Sequence, residues 1–301
     1  MELNDKKFAV LVDADNISHR KIKDILDEIA NYGTPTIKRI YGDFTNPKFA
    51  AWKEVLLENS ITPIQQYAYT TGKNATDSAL IIDAMDILHK EGVDGFCIVS
   101  SDSDYTRLAS RIRESGREVL GFGEKKTPKP FIKSCDKFIY VEILGQPAPA
   151  PAPVSAPAQT TAAVPAAKAA TPKKTAKKHQ GRNAPETDMP EAAPAEPAAA
   201  EKKAAPAPDT AQPQPIIRPI DDDFKTLLAN TIEDAADDSG WAFLGIVGGV
   251  LTKKMPDFDP RNYGYKKLSL LVKSLSKIVE IEERPSENKE LKLVYVRNRI
   301  R

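Results

Sequence analysis

Apolar and polar positions in the first half of this chain follow two alternating periods. Residues 8–12 (Phe8, Ala9, Val10, Leu11, Val12) form a continuous apolar run, and Phe96-Cys97-Ile98-Val99 forms another. Short unbroken runs of this kind suit parallel strands covered on both faces. Other stretches carry the helical period: Ile22, Ile25, Leu26 and Ile29 within 18–31, and Phe49, Trp52, Val55 and Leu56 within 47–59. Leu80, Ile81, Ala84, Met85, Ile87 and Leu88 repeat it over 75–90, and Tyr105, Leu108 and Ile112 after the second run. Further strands are expected at 36–41, 62–67, 118–122 and 138–141. Strand and helix in regular alternation predict an α/β fold, a mostly parallel sheet with helices on both faces.

The pattern stops near residue 145. From Pro147 to Pro219 the chain is mainly Ala and Pro with scattered Lys and Glu, and holds 16 of the 24 prolines but no Phe, Tyr or Trp. Such a segment buries too little apolar surface to offset its ordering entropy, so a disordered tether is expected. At about 75 residues its random-coil span would be roughly 45–50 Å. Its basic cluster, Lys173, Lys174, Lys177, Lys178 and Arg182, reads as a solvated charge run or as a phosphate contact. Periodicity resumes with Phe224, Leu227, Leu228 and Ile232, then a helix over 244–254, a third with Leu268, Leu271, Val272 and Leu275, and strands at 278–281 and 291–296. Three short helices and a β-ribbon predict a small winged helix-turn-helix. The expected domains are therefore 5–144, a linker at 145–219, and 220–298.

Composition narrows the function classes. The 301 residues carry 43 basic and 42 acidic side chains, so a polyanion partner has to be met by local patches. Two cysteines, Cys97 and Cys135, make no disulfide framework and match no metal-ligand spacing. No apolar run approaches a spanning helix and the N-terminus has no signal pattern, so a soluble cytoplasmic setting is expected.

The chemistry lies where strands end. The first apolar run leads into Asp13-Ala14-Asp15-Asn16, the 75–90 helix opens with Lys73-Asn74-Ala75-Thr76-Asp77, and the second run leads into Ser100-Ser101-Asp102-Ser103-Asp104-Tyr105. If the two strands are neighbours, these acids meet at one sheet edge, where open α/β sheets carry their ligands. Clustered carboxylates need a countercharge. Oxygen-only donors favour Mg²⁺ or Mn²⁺, which suits phosphodiester hydrolysis. Each acid taken singly also reads as a helix cap or turn former.

The three stretches resemble the signatures of the NYN domain, a branch of the PIN-like ribonuclease superfamily, over 6–143. Gly240-Trp241 and the run from Pro256 to Leu268 (PDFDPRNYGYKKL) resemble the OST-HTH (LOTUS) module over about 220–298. The two occur together in bacterial LabA-like proteins and in larger animal proteins acting on RNA. The first resemblance implies a Mg²⁺- or Mn²⁺-dependent endoribonuclease with Asp13, Asp77, Asp102 and Asp104 at its acidic, metal-holding positions and Asn16 nearby. Asp15, Lys73 and Ser101 are auxiliary polar candidates. The second implies RNA binding, structured or G-rich in relatives, with protein docking in others.

Arg261, Lys266, Lys267, Lys273 and Lys277 are the candidate phosphate contacts, since a continuous third helix would place the lysines on one side, opposite Leu268, Leu271 and Leu275. Trp241 and Tyr263 are candidates for base stacking or for the core. The resulting expectation is a metal-dependent endoribonuclease with a recruiting RNA-binding module. Two rivals stand beside it: a catalytically idle RNA- or protein-binding adaptor, and a haloacid-dehalogenase-like phosphatase using Asp13 and Asp15.

Overall fold

In the N-terminal module six parallel strands form one sheet in the order β3-β2-β1-β4-β5-β6. The strands are β1 Lys7–Asp13, β2 Thr34–Gly42, β3 Thr62–Gln65, β4 Gly95–Val99, β5 Glu118–Gly123 and β6 Lys137–Tyr140. The structure is a computed structural model and describes residues 6–67, 75–90, 92–145, 217–285 and 292–299. The expected linker at 145–219 lies, apart from its ends, outside the described residues, as do Lys73 and Asn74.

The two apolar runs became the central strands for the reason their pattern gave. Along β1, Phe8, Val10 and Val12 enter one core while Ala9 and Leu11 enter the other; along β4, Cys97 and Val99 oppose Phe96 and Ile98. A period of two delivers alternate side chains to opposite faces, and both faces are covered. Helices α1 (Ile22–Ile29) and α2 (Trp52–Glu58) supply one layer, and α3 (Ala75–Lys90), α4 (Thr106–Glu114) and α5 (Lys129–Ser134) the other.

Val12 of β1 pairs with Val99 of β4, so the two strands end side by side. The chain leaves β1 toward β2 on one side and β4 toward β5 on the other, a topological switch point at which a crevice opens beyond the strand ends. Gly123, closing β5, makes a second approach to this edge. A Cβ there would stand 2.7 Å from the Ser100 carbonyl oxygen and 2.7 Å from Thr127 Oγ1.

The C-terminal module has three helices, α6 (Asp222–Ala235), α7 (Leu244–Lys254) and α8 (Leu268–Ser274), and an antiparallel sheet ordered β7-β9-β8. Its strands are β7 Ala242–Phe243, β8 Val279–Pro285 and β9 Lys292–Asn298. Phe224, Leu228, Val247, Leu251, Leu271 and Val272 form its core. Tyr263 is buried there beside Phe224, at a centroid distance of 4.7 Å.

Both folded modules lie in one compact unit, joined by a polar seam. Arg261 donates from two guanidinium nitrogens to the two Glu28 oxygens, each at 2.9 Å, and also pairs with Asp259. Arg218 donates to Asp257 at 2.9 Å and to the Tyr140 hydroxyl at 2.8 Å, and Tyr140 donates to Asp257 at 2.9 Å. The Phe138 amide donates to the Pro256 carbonyl at 2.9 Å. Among the described residues, no helix is long and apolar enough to cross a membrane.

Candidate metal centre and nucleic-acid interface

Asp13 ends β1 and is wholly buried. Its Oδ2 accepts from Asn16 Nδ2 at 2.7 Å and from Ser100 Oγ at 2.9 Å, and its Oδ1 accepts from the Asp15 amide at 3.0 Å. Burial raises its pKa above the ordinary carboxylate value, and the hydrogen bonds from Asn16 and Ser100 oppose that shift.

Asp77, Asp102 and Asp104 form a triad in front of it. One carboxylate oxygen from each lies within 4.8 Å of the others. Asp77 comes from the first turn of α3, while Asp102 and Asp104 come from the turn after β4. Asp102 also caps the short turn at Ser103–Tyr105 by accepting from the Asp104 amide at 3.0 Å, so capping and clustering coexist in one side chain. Burial raises the Asp77 pKa, with repulsion from Asp102 and Asp104 adding to it. Among the described residues no lysine or arginine pairs with Asp77 or Asp102.

Tyr105 links the two levels. Its buried hydroxyl stands 2.7 Å from Asp77 Oδ1 and 3.4 Å from Asp13 Oδ2. A phenol has one proton to give, and the shorter contact takes it. Burial, with Asp13 and Asp77 alongside, holds the phenol far above its usual pKa, so it remains a donor. In the sequence Tyr105 reads as an apolar residue of the following helix; the signal for its second role is its place directly after the last acid. Ser100, bonded to Asp13, is likewise legible only as the residue that follows the strand.

The auxiliary candidates divide. Asn16 is bound to Asp13. Asp15 is held in an ion pair with Lys48 at 2.6 Å. Ser101 accepts the Glu124 amide at 2.8 Å and so ties the β5–α5 loop to the acidic turn. Lys73 lies outside the described residues.

The basic candidates scatter. Arg261 is held by Glu28 and Asp259. Helix α8 covers only Leu268–Ser274, so Lys266 and Lys267 precede it and Lys277 follows it, and no single helical face carries all four lysines. Lys266, Lys267 and Lys277 are exposed, while Lys273 pairs with Glu283 at 2.8 Å. Trp241 lies beneath two guanidinium groups, Arg297 at 4.6 Å and Arg284 at 5.3 Å from its ring centre.

The donor chemistry of the triad fits a hard divalent cation. It offers oxygen only, from three carboxylates on two elements, and among the described residues Asp77 and Asp102 have no neutralising side chain. Two unit charges about 5 Å apart repel by about 3 kcal/mol at an effective dielectric near 20, a cost that a bound cation reverses.

Comparison with known proteins gives two family matches, the NYN domain over residues 7–143 and the OST-HTH/LOTUS domain over 215–291. None of the curated proteins compared matches the chain. Among solved structures, a protein of unknown function from Vibrio parahaemolyticus RIMD 2210633 is 19% identical, with a TM-score of 0.40, covering 46% of this chain and 95% of that one. An uncharacterized protein of Nitrosomonas europaea, solved by NMR in solution, is 36% identical with a TM-score of 0.26, covering 34% of this chain and 92% of that one. The two family matches fall on the two folded regions, and the chain is an NYN domain joined to a C-terminal OST-HTH/LOTUS domain.

Proposed function

We propose that the protein is a metal-dependent endoribonuclease whose C-terminal module binds the RNA substrate. One observation carries the reading: Asp77, Asp102 and Asp104 converge within 4.8 Å at the sheet's switch point, with buried Asp13 behind them. NYN domains belong to a nuclease superfamily and OST-HTH modules are RNA-binding, which supports RNA as the substrate class.

Asp77, Asp102 and Asp104 would hold Mg²⁺ or Mn²⁺, which when bound neutralises phosphate charge and acidifies a water molecule. The chain's own residues supply the positioning. The Tyr105 hydroxyl fixes Asp77, and the Asp104 amide fixes Asp102. Asp13 gathers Asn16, Ser100 and the Asp15 amide into a rigid floor. Carboxylates held in this way need little reorganisation as charge develops on the phosphate.

The test incubates the full chain with labelled RNA and matching DNA in Mg²⁺, Mn²⁺ or EDTA, beside Asp102→Asn. Metal-dependent RNA cleavage that falls at least ~100-fold in the variant is the expected result. RNA binding with no cleavage by the wild type in any metal would replace this reading with that of an RNA-binding adaptor.

A further inference from the structure

The β5–α5 loop runs from the acidic turn toward the C-terminal module. Its first residue after β5, Glu124, donates its amide to Ser101 beside Asp102. From there Lys125, Lys129 and Lys133 recur at four-residue steps through the loop and α5. On a helix that spacing keeps Lys129 and Lys133 on one face, about 6 Å apart along the axis.

All three lysines are exposed, and all three line a cleft of about 610 Å³ whose other wall belongs to the C-terminal module. Among the described residues none of the three is ion-paired, whereas neighbouring Lys126 is bound to Glu124 and Lys254, across the cleft, to Asp234. Three exposed ammonium groups on one wall of a cleft, none of them ion-paired among the described residues, present a positive surface to an anion. The far wall carries Asp221 and Asp223, which would leave a polyanion on the lysine side.

We propose that this cleft is the path along which a single RNA strand reaches the acidic centre, its phosphates held by Lys125, Lys129 and Lys133. The proposal rests on the ribonuclease reading only for where the strand leads. It also gives the polar seam a use. Arg261–Glu28 and Arg218–Asp257–Tyr140 hold the second wall in place, so the C-terminal module completes the path as well as recruiting RNA. Phosphate contacts of this type fix the strand's position without reading its sequence.

The experiment measures binding of a fluorescent single-stranded RNA to the full chain in EDTA, across a series of salt concentrations. It compares wild type, the triple variant Lys125→Ala/Lys129→Ala/Lys133→Ala, and a control, Lys23→Ala/Lys53→Ala, on the opposite face of the sheet. Each phosphate contact on a single strand contributes about 0.7 to the slope of log affinity against log salt. The triple variant should therefore lose about 2 from that slope and bind at least ten-fold more weakly at low salt. The control should match the wild type, and thermal midpoints should be unchanged. An unchanged slope in the triple variant, or a wild type that binds no RNA, overturns the proposal. Cleavage in Mn²⁺ separates the two readings. A lysine-dependent slope with no cleavage keeps the cleft and removes the nuclease; cleavage with an unaltered slope does the reverse.

Discussion

The two modules treat their charges in opposite ways. At the strand ends of the N-terminal module, Asp77 and Asp102 sit half-buried with no cationic side chain among the described residues. In the C-terminal module three arginines and a lysine are neutralised in place. Arg261 is clasped by Glu28 and Asp259, Lys273 by Glu283, Arg297 by Glu280 and Arg284 by Glu282. A charge kept without its counterion is costly to fold around, and its persistence points to a ligand that completes it. A charge already paired does structural work. On that criterion the half-buried acids are where the proposed function places a ligand, while Arg261 is tied into the seam by Glu28 and Asp259.

The sharpest way to break this comparison is at Asp77. Asp77→Asn should lower RNA cleavage at least ~100-fold while making the metal-free protein more stable at neutral pH. The sign follows from the raised pKa of Asp77, set by burial and by Asp102 and Asp104. A carboxyl that holds its proton more tightly folded than unfolded contributes stability fully present below its ordinary pKa. That contribution is lost as pH rises through the raised folded value. Melting in EDTA should show the variant above wild type near pH 7.5, with the gap closing at acid pH. A variant less stable than wild type at pH 7.5 would mean that Asp77 is structural.

Arg261 tests the other side. Arg261→Ala leaves Glu28, whose side chain is only 11% exposed, without its bidentate partner, and should cost about 1–3 kcal/mol of stability in denaturant titration. The slope of RNA affinity against salt should barely move. A fall of that slope by about 0.7 with stability intact would restore Arg261 as a phosphate contact.

Tyr105→Phe removes one hydroxyl and its bond to Asp77, an interaction worth roughly 1.5–3 kcal/mol when the acceptor is charged. Because the metal also draws on Asp77, part of that loss should appear as about ten-fold weaker Mn²⁺ binding, read by calorimetry. Unchanged Mn²⁺ affinity would remove Tyr105 from the centre. The smallest effect belongs to Lys273→Ala, whose pair with Glu283 is solvent-exposed. Its stability should change by no more than ~0.5 kcal/mol. A larger loss would mean that exposed pairs here do more than cancel charge.

The sequence carried the sheet and its acidic edge because both rest on local patterns. An apolar run bounded by Asp specifies a strand and its end together, and the adjacency of β1 and β4 needed only the parallel topology. What stayed hidden depends on distant partners or on very short elements. Helix α5 is six residues between Pro128 and the start of β6, too short to show a period. Strand β7 is two residues. Arg261 reads as a phosphate contact because Glu28 stands 233 positions away. The four C-terminal lysines read as one face only if α8 continues past Ser274, which it does not. The α5 lysines went unread for the same reason as their helix. Tyr105 was visible as an apolar residue, while its hydroxyl became meaningful only once Asp77 was placed beside it.

The central claim is that Asp77, Asp102 and Asp104 share one hard cation. Mn²⁺ titration of the full chain, followed by electron paramagnetic resonance at neutral pH, tests it without any need for turnover. The account predicts one bound Mn²⁺ per chain, displaced by Mg²⁺ and lost in both Asp77→Asn and Asp102→Asn. Unaltered Mn²⁺ binding in either variant would contradict it.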